Sequence, residues 1–226
     1  MQTTLKHIGI IMDGNRRWAT KKGLPTFMGH SHGSDNLKNI AHACIEYSIP
    51  FLTVYALSTE NLQKRTKTEL HYLFQLISQF SQRASEMNEK NIRIRLIGDI
   101  DKLSKKCQTD LLELVHKTKH NTALTLTLAI NYGGRDEIVR AVKECISKKT
   151  LPLSEKTFQK FLDTKDLPEV DLVVRTGGDI RLSNFLLWQS AYAELYFTKV
   201  YWPAFSKKDL QKAIDSFYAA KRNRGK

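Results

Sequence analysis

The sequence predicts an α/β protein with a six-stranded, mostly parallel sheet flanked by helices. Short apolar runs alternate along the chain with longer segments in which apolar residues recur every three or four positions. Because a helical crossover joins parallel strands, this alternation favours one sheet covered on both faces. The 226 residues contain no repeat or linker that would divide them, so residues 1–226 are predicted to form a single domain.

The six strands are predicted from their apolar runs. Residues 8–12 and 51–57 are nearly continuous apolar runs, which is typical of strands buried on both faces. The third run alternates isoleucine with arginine before Gly98, and the later runs end in glycine-rich or polar segments. The predicted strands are 8–12, 51–57, 92–97, 124–130, 170–174 and 195–197.

The helices are predicted from helical spacing and from their end signals. Asn15 can cap a short helix that ends near Gly23, before Pro25. Thr66 and Glu69 have the spacing of a capping box and begin one long helix, whose apolar stripe over residues 70–87 is interpreted by default as core packing. The remaining predicted helices, with the long one, are 34–47, 66–90, 103–119, 135–148, 157–162 and 208–221.

Composition limits the function classes. Apolar residues make up 41% of the chain and charged residues 26%, as in globular proteins. No apolar run of signal-peptide or bilayer-spanning length occurs. The three cysteines, Cys44, Cys107 and Cys145, are odd in number and lack CxxC spacing, so a reducing cytoplasm is predicted. The net charge of +13 predicts an anionic partner: nucleic acid, anionic lipid or a phosphorylated small substrate.

Four predicted strands end in polar or glycine-rich residues, which should meet at one edge of a parallel sheet. These ends are residues 13–15, 58–61, 131–134 and 175–178. In the first, Asp13 offers a metal ligand, while Gly14, Arg16 and Arg17 offer close backbone approach and cations for phosphate beside a helix N-terminus. A diphosphate site and a capped helix with solvated arginines are about equally supported by this stretch alone.

The segment after the fifth strand offers further anion-binding groups. Arg175, Arg181 and Ser183 flank two glycines, an arrangement that favours a diphosphate site over a surface loop. Glu194 lies in an apolar and aromatic run, so it is either functional or part of a structural salt bridge. His30 is a weaker candidate, supported only by its position after the first strand and helix.

Competing phosphate motifs are missing from the sequence. There is no GxGxxG after a strand and no GxxxxGK[ST]. A phosphatase of the haloacid dehalogenase type would need an aspartate where Ile11 stands, and the DDxxD pair of all-helical prenyltransferases is absent.

Seven segments stand out along the chain: DGNRRWA (13–19), GH (29–30), STEN (58–61), NYGGR (131–135), RTGG (175–178), R-L-SNFLLWQ (181–189) and AYAELYF (191–197). Together, and in this order, they resemble the cis-prenyltransferases, the undecaprenyl diphosphate synthase family. The resemblance implies condensation of isopentenyl diphosphate with an allylic diphosphate to give Z double bonds. The sequence leaves geranyl and farnesyl diphosphate open as the allylic substrate, with farnesyl diphosphate favoured. It also implies a hydrophobic tunnel, walled in part by the stripe over residues 70–87, and an undecaprenyl product that serves cell-wall synthesis.

The resemblance also implies residue roles. Asp13 would bind Mg²⁺, with Glu194 assisting the metal site, and Asn15 and Asn61 would join Asp13 in the reaction centre, with no proton acceptor assigned. The implied substrate-binding residues are Gly14, Asn15, Arg16, Arg17, Trp18, His30, Ser58, Thr59, Glu60, Lys64, Arg175, Arg181 and Ser183. The family is dimeric, with the region after the fifth strand at the interface, so a homodimer is expected. Basic patches that favour anionic lipid, and a lipid product that must leave, predict contact with the inner membrane surface.

Three departures from the family pattern bear on affinity and product length. Thr26 stands where bacterial members commonly carry an arginine, so part of the clamp on the allylic diphosphate is either lost or supplied by Arg16. Leu62 replaces an aromatic residue, and Lys64 or Arg65 takes the basic role after it. The C-terminal Arg-x-Gly is shifted by one residue, in 222–225.

The sequence leaves three alternatives to a long-chain cis-prenyltransferase. A cis-prenyl diphosphate synthase with a shorter product would share all these motifs. A basic nucleic-acid-binding protein would need a continuous basic stripe with aromatic residues or an RNA-binding motif, and neither is present. A non-catalytic accessory subunit is disfavoured because Asp13, Arg175, Arg181 and Glu194 are retained.

Overall fold

The computed structural model describes residues 4–64 and 66–220, so the predictions for Arg65 and for residues 222–225 lie outside the described residues. All six strands are parallel, in the order β3-β4-β2-β1-β5-β6. The strands are β1 (His7–Ile11), β2 (Phe51–Ser58), β3 (Ile92–Ile97), β4 (Leu124–Tyr132), β5 (Leu172–Arg175) and β6 (Glu194–Phe197). The predicted strands are confirmed, with ends shifted by at most two residues.

Helices connect the strands in the expected alternation. They are α1 (Asn15–Lys21), α2 (Thr26–Glu46), α3 (Thr59–Lys64), α4 (Lys67–Ser81), α5 (Ala84–Glu89), α6 (Lys105–Thr118), α7 (Gly134–Ser147), α8 (Glu155–Phe158) and α9 (Lys207–Ala219). The capping box predicted at Thr66 is formed, and Ser206 and Asp209 form another at the start of α9. Within the described ranges, no helix is long and apolar enough to cross a bilayer.

Two helix predictions were wrong in extent. α2 begins directly after Pro25 rather than at residue 34, because Gly29 and Gly33 do not break it but pack closely against α1. The single helix predicted over residues 66–90 is two helices, with a turn at Gln82 and Arg83 between them. The apolar residues on both sides of the turn still face one core, which is why helical spacing did not reveal the break.

Two apolar layers enclose the sheet. One face, with Ile10 and Leu52, packs on α2, α4, α6 and α9, and the other face packs on Phe185 and Leu186 of the segment before β6. The chain proceeds from β1 to β2 on one side, whereas β5 pairs with β1 on the other. This reversal puts a ligand crevice at the carboxyl ends of β1 and β5.

His7, in β1, makes the fold sensitive to acid. It is buried, with ring nitrogens 2.8 Å from the Pro168 carbonyl and from Thr53 Oγ1. Burial lowers the pKa of His7, and the contacts with Pro168 and Asp171 offset this only in part. The neutral form therefore stabilises the fold above pH 6.5, the unfolded value, and this stability is lost as pH falls from 6.5 through the lowered pKa.

We expect the free energy of unfolding, measured in urea between pH 7.5 and pH 5, to fall more steeply for the wild type than for His7→Asn. The asparagine variant has no imidazole to protonate at this position. A stability difference between the two proteins that stays constant over this pH range would contradict the prediction.

Candidate active site

An open cavity of about 800 Å³ lies at the carboxyl ends of β1, β2 and β5. Most of the predicted site residues line it: Asp13, Gly14, Asn15, Arg16, Arg17, His30, Ser58, Glu60, Asn61, Lys64, Arg175, Arg181 and Ser183. The end of β4 was expected there too, but Asn131 is buried and donates to the Asp99 carbonyl instead. Three of the four predicted strand ends therefore meet at the cavity.

Asp13 is the carboxylate at the centre of this cluster. Its Oδ1 accepts from Arg17 Nη2 at 2.9 Å and from the Gly14 amide at 2.6 Å, and its Oδ2 accepts from Arg175 Nη2 at 2.9 Å. Burial disfavours ionisation of Asp13, but the hydrogen bonds and charges of Arg175 and Arg17 outweigh it and lower the pKa. Asp13 is therefore ionised at neutral pH.

Arg175 is a buried anchor of this site rather than an exposed cation. Its side chain is 5% exposed, and Nη1 donates to the Arg181 carbonyl at 2.5 Å and to Ser183 Oγ at 2.7 Å. With the bond to Asp13, these contacts hold the ends of β1 and β5 together. By contrast, the Arg181 side chain is 61% exposed.

The first turn of α1 presents backbone and cations to the cavity. Gly14 adopts φ 101°, and an added Cβ would lie 2.6 Å from the Tyr201 ring, so glycine is required on both counts. Arg17 lies over the Tyr201 ring, 5.6 Å from its centroid. Arg16 turns towards α4, where its Nη1 lies 3.4 Å from Glu69 Oε1.

Asn15 does not cap α1 as predicted. It is the first helical residue, its side chain makes no capping bond, and its Nδ2 donates to the Met12 carbonyl. Its buried Oδ1 has no hydrogen-bond partner among the described residues. A Cβ on Gly33 would lie 2.4 Å from this oxygen, so Gly33 permits the close approach of α2 that encloses Asn15.

The end of β2 supplies the opposite wall. Ser58 Oγ accepts a hydrogen bond from the backbone amide of Asn61 in the first turn of α3. Glu60 Oε1 accepts one from Asn184 Nδ2 at 2.9 Å. Burial alone would raise the pKa of Glu60. Hydrogen bonds, chiefly the one from Asn184, lower the pKa by more than burial raises it, so the net shift is downward. Thr59 does not line the cavity; its hydroxyl donates to Glu60 Oε2.

Two further predicted residues are not brought to the cavity. The Trp18 ring packs on His32 of α2, with centroids 4.8 Å apart. Glu194 pairs with Leu172 at the start of β6, three residues before the level of Arg175, which is roughly 10 Å along the strand. Within one chain, the structure therefore does not bring Glu194 to Asp13.

A smaller apolar cavity of about 160 Å³ continues from the polar one. Met12, Asn15, His30, Tyr55 and Asn61 line both cavities. The apolar wall is formed by Leu37, Ala56, Leu57, Leu73, Leu76, Ile77, Phe80, Leu128, Ile130 and Trp202. Apolar side chains of α4 thus line a cavity, which the resemblance implied. The interpretation of the helical spacing as core packing did not predict this.

The carboxylate of Asp13 is a ligand that suits a hydrated hard cation. No group of three His, Cys, Asp or Glu side chains suitable for a metal occurs in the part of the chain that the structure describes. Mg²⁺, however, is commonly held by one or two carboxylates, water and substrate phosphates. Asp13 Oδ1 already accepts two bonds, whereas Oδ2 accepts one, which leaves it a lone pair for a cation.

Three site residues were missed by the sequence analysis. Asp179 contacts three arginines, Asn184 joins Glu60 to α7, and Tyr55 donates to the Tyr132 carbonyl at the junction of the cavities. Asp179 directly follows the two glycines, and Asn184 lies in the family-like segment 181–189, so the sequence offered a signal for both. Tyr55 lies inside a strand and had none.

The polar cavity holds an ionised carboxylate among arginines and continues into an apolar cavity. This combination defines a protein that binds an anionic head group attached to an apolar chain. Residues 11–225 match the family model of undecaprenyl diphosphate synthases. The chain is 46% identical to an isoprenyl transferase of Treponema denticola over 99% of this chain and 98% of the relative, and 44% identical to one of Helicobacter pylori over 100% and 98%. The chain therefore belongs to the undecaprenyl diphosphate synthase family.

Solved structures agree with this assignment. Lavandulyl diphosphate synthase from Lavandula x intermedia, in complex with dimethylallyl diphosphate, superposes with a TM-score of 0.93 at 32% identity, over 98% of each chain. A probable undecaprenyl diphosphate synthase from Campylobacter jejuni gives a TM-score of 0.85 at 38% identity, over 99% of this chain and 100% of that one. Together with the relatives, these structures support prenyltransferase activity of the cis type.

Proposed function

We propose that this protein condenses isopentenyl diphosphate with an allylic diphosphate, farnesyl diphosphate, and makes a long-chain Z-polyprenyl diphosphate of the undecaprenyl type. In each cycle the allylic C–O bond breaks, a C–C bond forms and a proton leaves. The observation that carries the proposal is the continuity of the two cavities, because an allylic diphosphate is a polar head on an apolar chain.

The residues divide the work by position. The amides at the start of α1, with Arg16 and Arg17, hold the allylic diphosphate, and Arg181 with Ser183 holds isopentenyl diphosphate. Mg²⁺ on Asp13 would supply positive charge for the departing diphosphate. Asn15 and His30 line both cavities, so in this proposal they would lie next to the bonds that change.

Labelled isopentenyl diphosphate with farnesyl diphosphate, with and without Mg²⁺, tests this function. We expect a Mg²⁺-dependent ladder of products that ends near eleven isoprene units. No product from folded protein would overturn the proposal and indicate an accessory subunit. A steeply salt-dependent affinity for RNA would instead favour the nucleic-acid alternative.

The size of the apolar cavity favours a second candidate, a synthase with a shorter product. A cavity of about 150 Å³ holds a molecule the size of benzene, so the space found here holds little more than one isoprene unit. A long product thus requires α4 to move outward. None of the apolar side chains of α4 before Phe80 is fully buried, which makes such a movement less costly.

Filling the apolar cavity is expected to shorten the product. Ala56→Leu adds three carbons to the cavity wall, so we expect the longest product to lose at least one isoprene unit while the first condensation continues. Chain lengths are resolved as above, with Ala219→Leu, on the exposed surface of α9, as the matched control. An unchanged ladder would show that growing chains do not pass Ala56.

The homodimer and membrane contact are also part of the proposal. Val139, Val142 and Ile146 form an exposed apolar stripe on α7, and Tyr192 and Leu195 are exposed too, which supports self-association. Phe185 and Leu186, expected at the interface, are instead fully buried in the core. Sedimentation of Ile146→Lys tests the dimer, and binding to anionic against neutral vesicles tests the membrane contact.

A further inference from the structure

Three arginine side chains converge on one carboxylate oxygen at the rim of the polar cavity. Asp179 Oδ2 lies 2.8 Å from Arg181 Nη2, 3.3 Å from Arg175 Nη2 and 3.7 Å from Arg17 Nη2. One carboxylate oxygen has two lone pairs, so it cannot accept a good hydrogen bond from all three donors. The arrangement resembles a phosphate-binding cluster in which a side chain takes the place of the anion.

The three arginines differ in how firmly they are held. Arg175 is buried and also donates to Asp13, to Ser183 and to a carbonyl, so its position does not depend on Asp179 alone. Arg17 and Arg181 are 45% and 61% exposed in their side chains. Both can therefore turn their guanidinium groups towards a ligand in the cavity that they line.

The local charge makes Asp179 a competitor of the ligand. Three guanidinium groups face two carboxylates, Asp13 and Asp179, and the cluster keeps a net charge of only +1. A diphosphate carries more negative charge than one carboxylate and offers more acceptor oxygens. It can therefore replace Asp179 at Arg17 and Arg181, whereas a weaker anion has less to gain.

We propose that Asp179 is an internal anion that holds Arg17 and Arg181 until a diphosphate displaces it, and that it thereby weakens the affinity of the site for diphosphates. This inference rests on the proposed function, because it concerns the same diphosphate-binding arginines. Asp179 acts through the arginines and is a positioning residue.

Asp179→Asn tests the inference by calorimetric titration with inorganic pyrophosphate and with isopentenyl diphosphate, neither of which requires turnover. We expect the dissociation constant of each to fall roughly three- to tenfold, because the amide keeps an acceptor for the arginines but removes the competing charge. If Asp179 only held the arginines in place, the same substitution would weaken binding. The direction of the change therefore distinguishes the two roles.

Two further variants complete the experiment. Asp166→Asn removes one negative charge from an ion pair with Arg95 on β3 and should leave both dissociation constants unchanged. Asp179→Ser removes the competing charge without an amide and is measured beside Asp179→Asn, so that misfolding of one variant does not decide the result. Unchanged or weaker binding to folded Asp179 variants would overturn the inference alone. No binding to the wild type would overturn the proposed function with it.

Discussion

Replacing Asp13 with alanine is expected to reduce kcat/KM for the condensation by on the order of 10³-fold. The substitution removes the carboxylate that orients Arg17 and Arg175, together with the oxygen that retains a lone pair for a cation. Steady-state rates with isopentenyl and farnesyl diphosphate, over a range of Mg²⁺ concentrations, measure the effect.

The matched variant Asp13→Asn separates charge from shape. The amide keeps one acceptor for the arginines but cannot supply a charged ligand, so we expect nearly the same loss of activity with smaller loss of stability. Asp215→Asn, on the exposed surface of α9, should retain full activity. Activity of Asp13→Asn within a few-fold of the wild type would show that the charge of Asp13 is not needed.

Replacing Arg175 with methionine is expected to lower the free energy of unfolding by about 3 kcal/mol. Its guanidinium serves two carboxylates, a hydroxyl and a carbonyl, and methionine would leave these acceptors without it. We expect the lower end of the range for broken buried ion pairs, because the Asp13 and Asp179 side chains remain 28% and 29% exposed. Urea unfolding measures the change.

Arg181→Met is the comparison for this effect. Arg181 belongs to the same cluster, but its side chain is mostly exposed, so its loss should change the free energy of unfolding by no more than about 0.5 kcal/mol. Equal destabilisation by the two substitutions would show that burial of Arg175 does not determine its contribution.

The local patterns in the sequence were sufficient for the elements and for most of the site. Apolar runs located all six strands, and their alternation with helices predicted the parallel sheet, because both signals depend only on neighbouring residues. The strand ends carrying Asp13, Ser58 and Arg175 meet because parallel strands share one carboxyl edge. The family followed from short segments in a fixed order, and the comparisons confirm it.

The tertiary structure decided how the site residues are used. The sequence does not distinguish the buried Arg175, which holds two strand ends together, from the exposed Arg181, because burial depends on the segments packed above them. Nor does it show that Glu194 lies at the far end of its strand from Asp13, since strand register is set by long-range pairing. The apolar spacing of α4 is the same whether its residues meet a core or a cavity, and only the packing of α4 beside α2 and the sheet decides that a cavity lies there.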